Sequence, residues 1–172
     1  MKKLLMIMVF IALLAAANLT FAEQKSYNER ALDILGDVWI SAGYGQQYSG
    51  FGVAGDISLG FFTLGGGVGY FPNDIEGVMG VEIYGRGILP LEKSIPYFQV
   101  GYGLIGVEMY YSTEEIDIIY GIWWLLGNML YVQDNIFVDV GLGMCRLETE
   151  YEYRNGWYLT FQAGLGMNIG KW

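Results

Sequence analysis

The sequence predicts an all-β fold, an eight-stranded antiparallel up-and-down transmembrane β-barrel over residues 36–172. From Gly36 onward, large apolar residues alternate with small or polar ones, which is the pattern of two-faced strands. The chain has 26 Gly and 16% aromatic residues but only 3 Pro, a composition typical of closed β-structures. After the N-terminal stretch, no apolar run approaches the roughly 20 residues that a spanning helix needs.

Residues 1–22 have the three-part layout of a secretory signal peptide. Lys2 and Lys3 precede an apolar run over residues 4–17, and Thr20-Phe21-Ala22 supplies the small-residue cleavage site. Because the apolar run is too short for a membrane-spanning helix, we expect cleavage after Ala22 rather than an uncleaved anchor.

Residues 23–35 lack the two-residue alternation. Their apolar positions have roughly helical spacing, which leaves a short amphipathic helix as one interpretation. We favour a weakly ordered N-terminal periplasmic segment that leads into the barrel.

The stretch GFGVAGDISLGFF, residues 50–62, shows the alternation most clearly. Its large apolar residues are Phe51, Val53, Ile57, Leu59 and Phe61. The residues between them are small, with one acid, Asp56, whereas a soluble sheet or a secreted barrel would carry many polar and charged side chains on its wet face. We therefore assign the large side chains to lipid and the small ones to the narrow lumen of an eight-stranded barrel.

Seven further segments repeat this alternation. They are residues 37–45, 62–71, 77–88, 96–110, 115–130, 135–149 and 153–170. Segments of about 9–11 residues are long enough to cross a bilayer when tilted.

The connections between these segments are short. Exposed tips are predicted at one end of the barrel, at residues 46–49, 72–76, 112–115 and 148–155. Turns are predicted at the other end, at residues 60–61, 89–95 and 133–135. Aromatic residues near the strand ends, Tyr48 and Tyr97 among them, are typical of the two interfacial girdles of membrane barrels.

Strand parity directs seven polar side chains into the lumen. They are Asp56, Glu82, Arg86, Gln99, Asp139, Gln162 and Asn168. Because a buried charge needs a partner, we interpret them as an internal polar network that fills the barrel. The alternative is a narrow, gated path for water or ions along the same residues.

Trp123 and Leu125 break the polar-inside pattern of the sixth segment. We interpret them as an apolar layer inside the lumen, since small barrels fill with side chains. The alternative is a site for a small hydrophobic ligand.

No pattern in the sequence indicates a catalytic, metal or cofactor site. The chain has no His, so the usual His-based general bases and activated nucleophiles cannot be built. The acids are scattered singly along the strands, which disfavours both a catalytic carboxylate pair and a metal cluster. We therefore expect no enzymatic activity, no cofactor and no metal.

The predicted mature chain is strongly acidic. Without Lys2 and Lys3, 7 of the 9 basic residues remain against 18 acidic ones, for a net charge of −11. Nucleic-acid binding needs basic patches, so we expect no nucleic-acid partner. The lone Cys145 allows no internal disulfide.

Two stretches carry a resemblance to a known family. RGILPLEKSIPYFQVGYGL, residues 86–104, has a short turn, then Pro-Tyr, then an alternating strand that contains Gly. LYVQDNIFVDVGLGM, residues 130–144, has an Asp-Asn turn between two long segments. Both resemble the small eight-stranded outer-membrane barrels of the OmpA-like and OmpX-like families. The resemblance implies an outer-membrane barrel with both chain ends in the periplasm and a non-enzymatic role.

The terminal residue departs from the pattern of these families, whose members often end in an aromatic residue in phase with the lipid-facing positions. Leu165, Met167 and Ile169 place the lipid-facing positions on odd numbers, so Trp172 is out of phase by one. A β-bulge near Gly170 would restore the phase.

The sequence thus predicts an integral outer-membrane protein of a bacterium with two membranes, with a structural or envelope-interaction role and a filled lumen. We expect a monomer surrounded by outer-membrane lipid, with envelope or surface partners reached through the short tips. The alternatives are a narrow porin-like channel and a barrel that binds a lipid or small hydrophobic ligand.

Overall fold

The computed structural model describes residues 27–72, 77–110, 115–147 and 155–172. Eight antiparallel strands close into a barrel in chain order, each paired with the next and the last with the first. The strands are β1 (Asp37–Gly45), β2 (Gly50–Ser58), β3 (Phe62–Phe71), β4 (Val78–Ile88), β5 (Ser94–Tyr110), β6 (Glu115–Gln133), β7 (Ile136–Leu147) and β8 (Gly156–Lys171). The predicted up-and-down barrel is confirmed.

Within the described ranges, no helix is long and apolar enough to cross a membrane. The predicted signal peptide and most of the tips at 72–76, 112–115 and 148–155 lie outside these ranges.

The second strand ends just before the turn predicted at residues 60–61. It ends at Ser58 because Gly60 adopts a φ of 84°, a left-handed conformation that favours glycine. The Leu59 amide then donates a hydrogen bond to the Phe62 carbonyl over 2.7 Å. The connection between β2 and β3 therefore lies at residues 60–61, as the sequence predicts, although the alternation of large and small residues continues through it.

A short helix, α1 (Tyr27–Asp33), precedes the barrel. The favoured interpretation of a weakly ordered segment is therefore wrong for these residues, and the helical alternative holds. Tertiary packing stabilises the helix, since seven residues are too few for a stable isolated helix. Ala31 is only 4% exposed, and Ile34 packs against apolar side chains inside the barrel.

The two faces of the strands have opposite environments. Val53 and Ile57 on the outer face of β2 are 54% and 42% exposed, whereas Asp56 between them is 3% exposed. Large apolar side chains are exposed in the same way on every strand except β7, whose outer apolar side chains are half-buried. The barrel is therefore apolar outside and contains its polar side chains inside.

A register shift restores the phase of the C-terminus. Val38 pairs with Gly170 and Trp39 with Asn168, so Ile169 is an extra residue in β8. After this bulge the Trp172 amide donates a hydrogen bond to the Gly36 carbonyl over 3.1 Å. Trp172 thereby returns to the outer face, where its side chain is 82% exposed.

A second bulge interrupts the alternation of inner and outer side chains in β5. The register against β6 shifts between Leu104 and Gly106. Leu104, which parity places on the outer face, is instead 1% exposed, and the adjacent Ile105 is 8% exposed. The bulge turns both side chains inward, where they help to fill the lumen.

Candidate functional site

The lumen is filled by apolar layers with polar groups between them. The lower apolar cluster, near the end covered by α1, consists of Trp39, Ile88, Ile95, Tyr97, Met129 and Phe137. The upper apolar cluster consists of Tyr48, Ala54, Tyr84, Ile105, Ile119, Trp123, Leu125 and Cys145. Trp123 and Leu125 are both 0% exposed. Both side chains pack within an apolar layer inside the lumen, as the sequence predicts.

Residues 46–49 fold into the barrel, and we call them the plug segment. The sequence predicts an exposed tip here, and that prediction is wrong. Gln47, Tyr48 and Ser49 are each 0% exposed, and residues 46–48 form one turn of 3₁₀ helix. The flanking residues Gly45 and Gly50 have φ values of 123° and 91°, which let the chain turn inward and return.

Inward-facing glycines make room for the plug segment. A Cβ added at Gly67 would overlap the carbonyl oxygen of Gln47, and one at Gly52 or Gly69 would overlap that of Tyr48. These residues form a cradle in which main chain packs directly on main chain. The volume of the plug segment therefore explains why Gly52, Gly67 and Gly69 have no side chain.

The guanidinium of Arg86 lies at the centre of the lumen. Its Nη1 is 3.6 Å from Asp56 Oδ2, and its Nη2 is 3.4 Å from Asp139 Oδ2. Its Nε donates a hydrogen bond to Gln99 Oε1 over 3.1 Å. The aromatic rings of Tyr84 and Tyr97 lie 5.1 Å and 4.7 Å from its central carbon, close enough for cation–π attraction. We call Asp56, Arg86, Gln99, Asp139 and their hydrogen-bond partners the central cluster.

Gln47 inserts its side chain into the central cluster. Its Oε1 accepts a hydrogen bond from Arg86, and its Nε2 donates to Asp139 Oδ2 over 3.1 Å. Gln162 donates to Gln47 Oε1 over 2.9 Å and to Asp139 Oδ2 over 3.2 Å. Sequence reasoning missed Gln47 because it lies between strands, where parity says nothing about direction. The available signal was the unfilled volume implied by the glycine-rich inner faces.

Glu82 lies in a separate polar site in the upper lumen. Its Oε1 accepts a hydrogen bond from Ser49 Oγ over 3.0 Å, and its Oε2 accepts one from Trp123 Nε1 over 2.8 Å. Trp123 therefore satisfies a buried carboxylate in addition to filling the apolar layer. Glu82 also anchors the end of the plug segment.

Asn168 lies outside the central cluster, at the end of the barrel near α1. Its Nδ2 donates a hydrogen bond to Asp37 Oδ2 over 2.6 Å. Both residues border a cavity of about 1110 Å³ between α1 and the neighbouring turns. Ile34 and Ile95 also line this cavity, so it adjoins the lower apolar cluster rather than the central cluster.

Of the seven residues predicted to form the network, the structure brings five together: Asp56, Arg86, Gln99, Asp139 and Gln162. Direct side-chain hydrogen bonds and ion pairs hold them between the two apolar clusters. In the described ranges, no group of three or more His, Cys, Asp or Glu side chains is arranged to hold a metal ion. This arrangement is suited to rigidity and closure of the lumen.

Tyr48 and Tyr97 do not belong to the predicted aromatic girdles. They are 0% and 4% exposed, because both point into the lumen. On the outer face, Tyr44 instead packs against Phe51 and Phe161, with ring centroids 4.5 Å and 5.7 Å apart.

Comparison with known proteins bears on the fold. No family model matches the sequence, and no curated protein matches it either. The structure is similar to the crystal structure of the N-terminal β-barrel domain of Pseudomonas aeruginosa OprF, with a TM-score of 0.60 and 16% sequence identity. The match covers 78% of this chain and 98% of that domain. This likeness shows that the chain shares the barrel fold of that domain, which is the fold that its resemblance to the OmpA-like families implies.

Proposed function

We propose that the chain is an integral outer-membrane β-barrel protein with a closed lumen and a structural or envelope-interaction role. The observation that carries this proposal is the inside-out distribution of side chains. A closed barrel satisfies its own backbone hydrogen bonds, which bilayer hydrocarbon requires. Its exposed large apolar side chains would be strongly unfavourable in water at about 25 cal/mol per Å².

The filled lumen favours closure over conduction. An ion crossing the barrel would have to pass both the upper and the lower apolar clusters, in which Trp39, Trp123 and Leu125 are fully buried. It would also have to displace the hydrogen bonds of Arg86. A structural role is therefore better supported than a porin-like channel, and the packing around Trp123 disfavours a hydrophobic ligand there.

Heat modifiability and conductance test the proposal together. Protein refolded in detergent micelles is expected to run faster on an SDS gel before boiling than after it, as a closed barrel does. Reconstituted in a planar bilayer, it is expected to give no stepwise conductance. A chain that stays soluble and monomeric without detergent would contradict the membrane assignment, and regular conductance steps would contradict the closed lumen.

A further inference from the structure

The described interior holds more buried carboxylates than buried cations. Asp56, Glu82 and Asp139 are each at most 3% exposed. Among the Lys and Arg side chains in the described ranges, Arg86 alone is buried. The charges inside this part of the barrel therefore do not balance when every carboxyl group is ionised.

Part of this imbalance lies in the central cluster. Arg86 contacts Asp56 at 3.6 Å and Asp139 at 3.4 Å. One guanidinium cannot neutralise two carboxylates, and an uncompensated buried charge is strongly destabilising. The cluster must therefore acquire one positive charge or leave one carboxyl group un-ionised.

The hydrogen-bond partners identify Asp139 as the ionised member. Tyr97 Oη donates to Asp139 Oδ1 over 2.5 Å, while Gln47 and Gln162 donate amide N–H groups to Asp139 Oδ2. An amide N–H group donates and cannot accept, so these contacts suit an anion.

The surroundings of Asp56 suit a neutral acid. Its other side-chain partners are the hydroxyl groups of Tyr84, at 3.1 Å, and Thr63, at 3.4 Å. A hydroxyl group can rotate to accept a hydrogen bond as well as donate one. Each of these hydroxyl oxygens can therefore accept a hydrogen bond from a protonated Asp56.

We propose that the central cluster is a binding site for one proton, held as the neutral carboxylic acid of Asp56 beside an Arg86–Asp139 ion pair. The side chains that other strands place around this site are Trp39 from β1, Thr63 from β3, Tyr84 and Arg86 from β4, Tyr97 from β5 and Asp139 from β7. The plug segment contributes Tyr48. Apart from Asp56 itself, the formally charged groups in this set are Arg86 and Asp139.

Infrared spectroscopy of the full chain folded in micelles tests for the proton directly. A protonated carboxylic acid has a carbonyl stretch that an ionised carboxylate lacks. At pH 7 we expect this band in the wild-type protein and its loss in Asp56→Asn. The matched control is Glu82→Gln, which removes a different buried carboxyl group, one outside the central cluster, and should keep the Asp56 band. If Asp56→Asn retains every carboxylic-acid band of the wild type, the proposal is wrong.

Urea unfolding of a second pair of variants, Asp56→Asn and Asp139→Asn, is an independent test. At pH 7, Asp56→Asn should shift the unfolding midpoint little, because it replaces a neutral group by a neutral group of the same shape. Asp139→Asn should lower the midpoint clearly, because it removes the partner of Arg86, Gln47 and Gln162. Equal losses in the two variants would overturn the proposal. If Asp139→Asn does not fold, the infrared comparison of Asp56→Asn with Glu82→Gln is the deciding test of the proposal.

The pH dependence has a definite sign. An unfolded Asp releases its proton near pH 3.9, so above this pH the folded chain binds one proton more than the unfolded chain. Stability then falls as pH rises. The wild-type midpoint should fall between pH 5 and 8 relative to that of Asp56→Asn.

A small metal cation could supply the missing positive charge instead of a proton. The same titration in sodium chloride and in choline chloride separates the two. A wild-type midpoint that does not depend on sodium supports the proton. A sodium-dependent rise that Asp56→Asn abolishes would replace the proton by a bound metal ion and overturn the proposal.

Discussion

At the scale of single residues, Arg86 has the largest structural consequences. Its guanidinium is 1% exposed and contacts groups from β2, β5, β7 and the plug segment. Arg suits this position because its planar fork donates in several directions and stacks on aromatic rings. The side chain thereby links four separate parts of the chain across the lumen.

Replacing Arg86 should destabilise the barrel strongly. In Arg86→Gln, the two carboxyl groups lose their shared cation, and we expect the free energy of unfolding to fall by about 3–5 kcal/mol. Urea unfolding in detergent micelles measures this loss. The control is Lys93→Gln, an exposed substitution expected to stay within about 0.5 kcal/mol of the wild type. A loss below about 1 kcal/mol in Arg86→Gln would mean that the ion pairs contribute little.

At the scale of elements, the plug segment and the glycines of the neighbouring strands depend on each other. Residues 46–49 lie within the barrel only because β2 and β3 have no side chains at their closest inward positions. The plug segment in turn supplies Gln47 to the central cluster and Ser49 to Glu82. A β-hairpin connection thus acts as part of the core.

Two glycine substitutions distinguish the effect of this packing on stability from the effect of alanine on strand propensity. Gly67→Ala adds a methyl group that overlaps the Gln47 carbonyl oxygen, whereas Gly87→Ala adds one with nothing within 4 Å. Both positions lie within strands, so the change in backbone entropy is similar. We expect Gly67→Ala to lose about 1–3 kcal/mol of unfolding free energy through overpacking, and Gly87→Ala to lose none.

Urea unfolding of the two variants side by side is the measurement. Equal stabilities would show that the plug segment can leave its cradle without loss. The plug segment would then not be the reason why these strands carry glycine at their inner positions.

At the scale of the whole molecule, the barrel reverses the usual distribution of polar and apolar groups. The outer surface carries large exposed apolar side chains, and the interior combines two apolar clusters with a charged centre. Closure of the sheet makes this possible, because no strand edge is left with unpaired backbone groups.

A charge placed on the outer face tests the proposal that this face contacts lipid. Val53 lies near the middle of β2 and is 54% exposed. In lipid vesicles, Val53→Arg is expected to lower the free energy of unfolding by about 2–4 kcal/mol, because the charge would enter hydrocarbon. Glu92→Arg in the β4–β5 turn, also exposed, should have little effect. A Val53→Arg variant as stable as the wild type would place this face in water.

The strands could be predicted closely because a period of two is a local property. β1 and β3 have the predicted bounds, and β4 to β8 differ from prediction by at most three residues at either end. Parity also marks Asp56, Arg86, Gln99, Asp139 and Gln162 as inward-facing. It fails at Leu104, because a bulge changes the phase of the strand without a clear signal in the residues.

What the sequence determined by itself is the barrel and the inner or outer face of most residues, since alternation distinguishes the two sides of a strand. The tertiary structure alone decided how the interior is filled. Whether residues 46–49 point outward or inward depends on empty volume between strands far apart in the chain, and no local pattern reports that volume. The same holds for the charge balance at Arg86, because Asp56 and Asp139 become its neighbours only when the barrel closes.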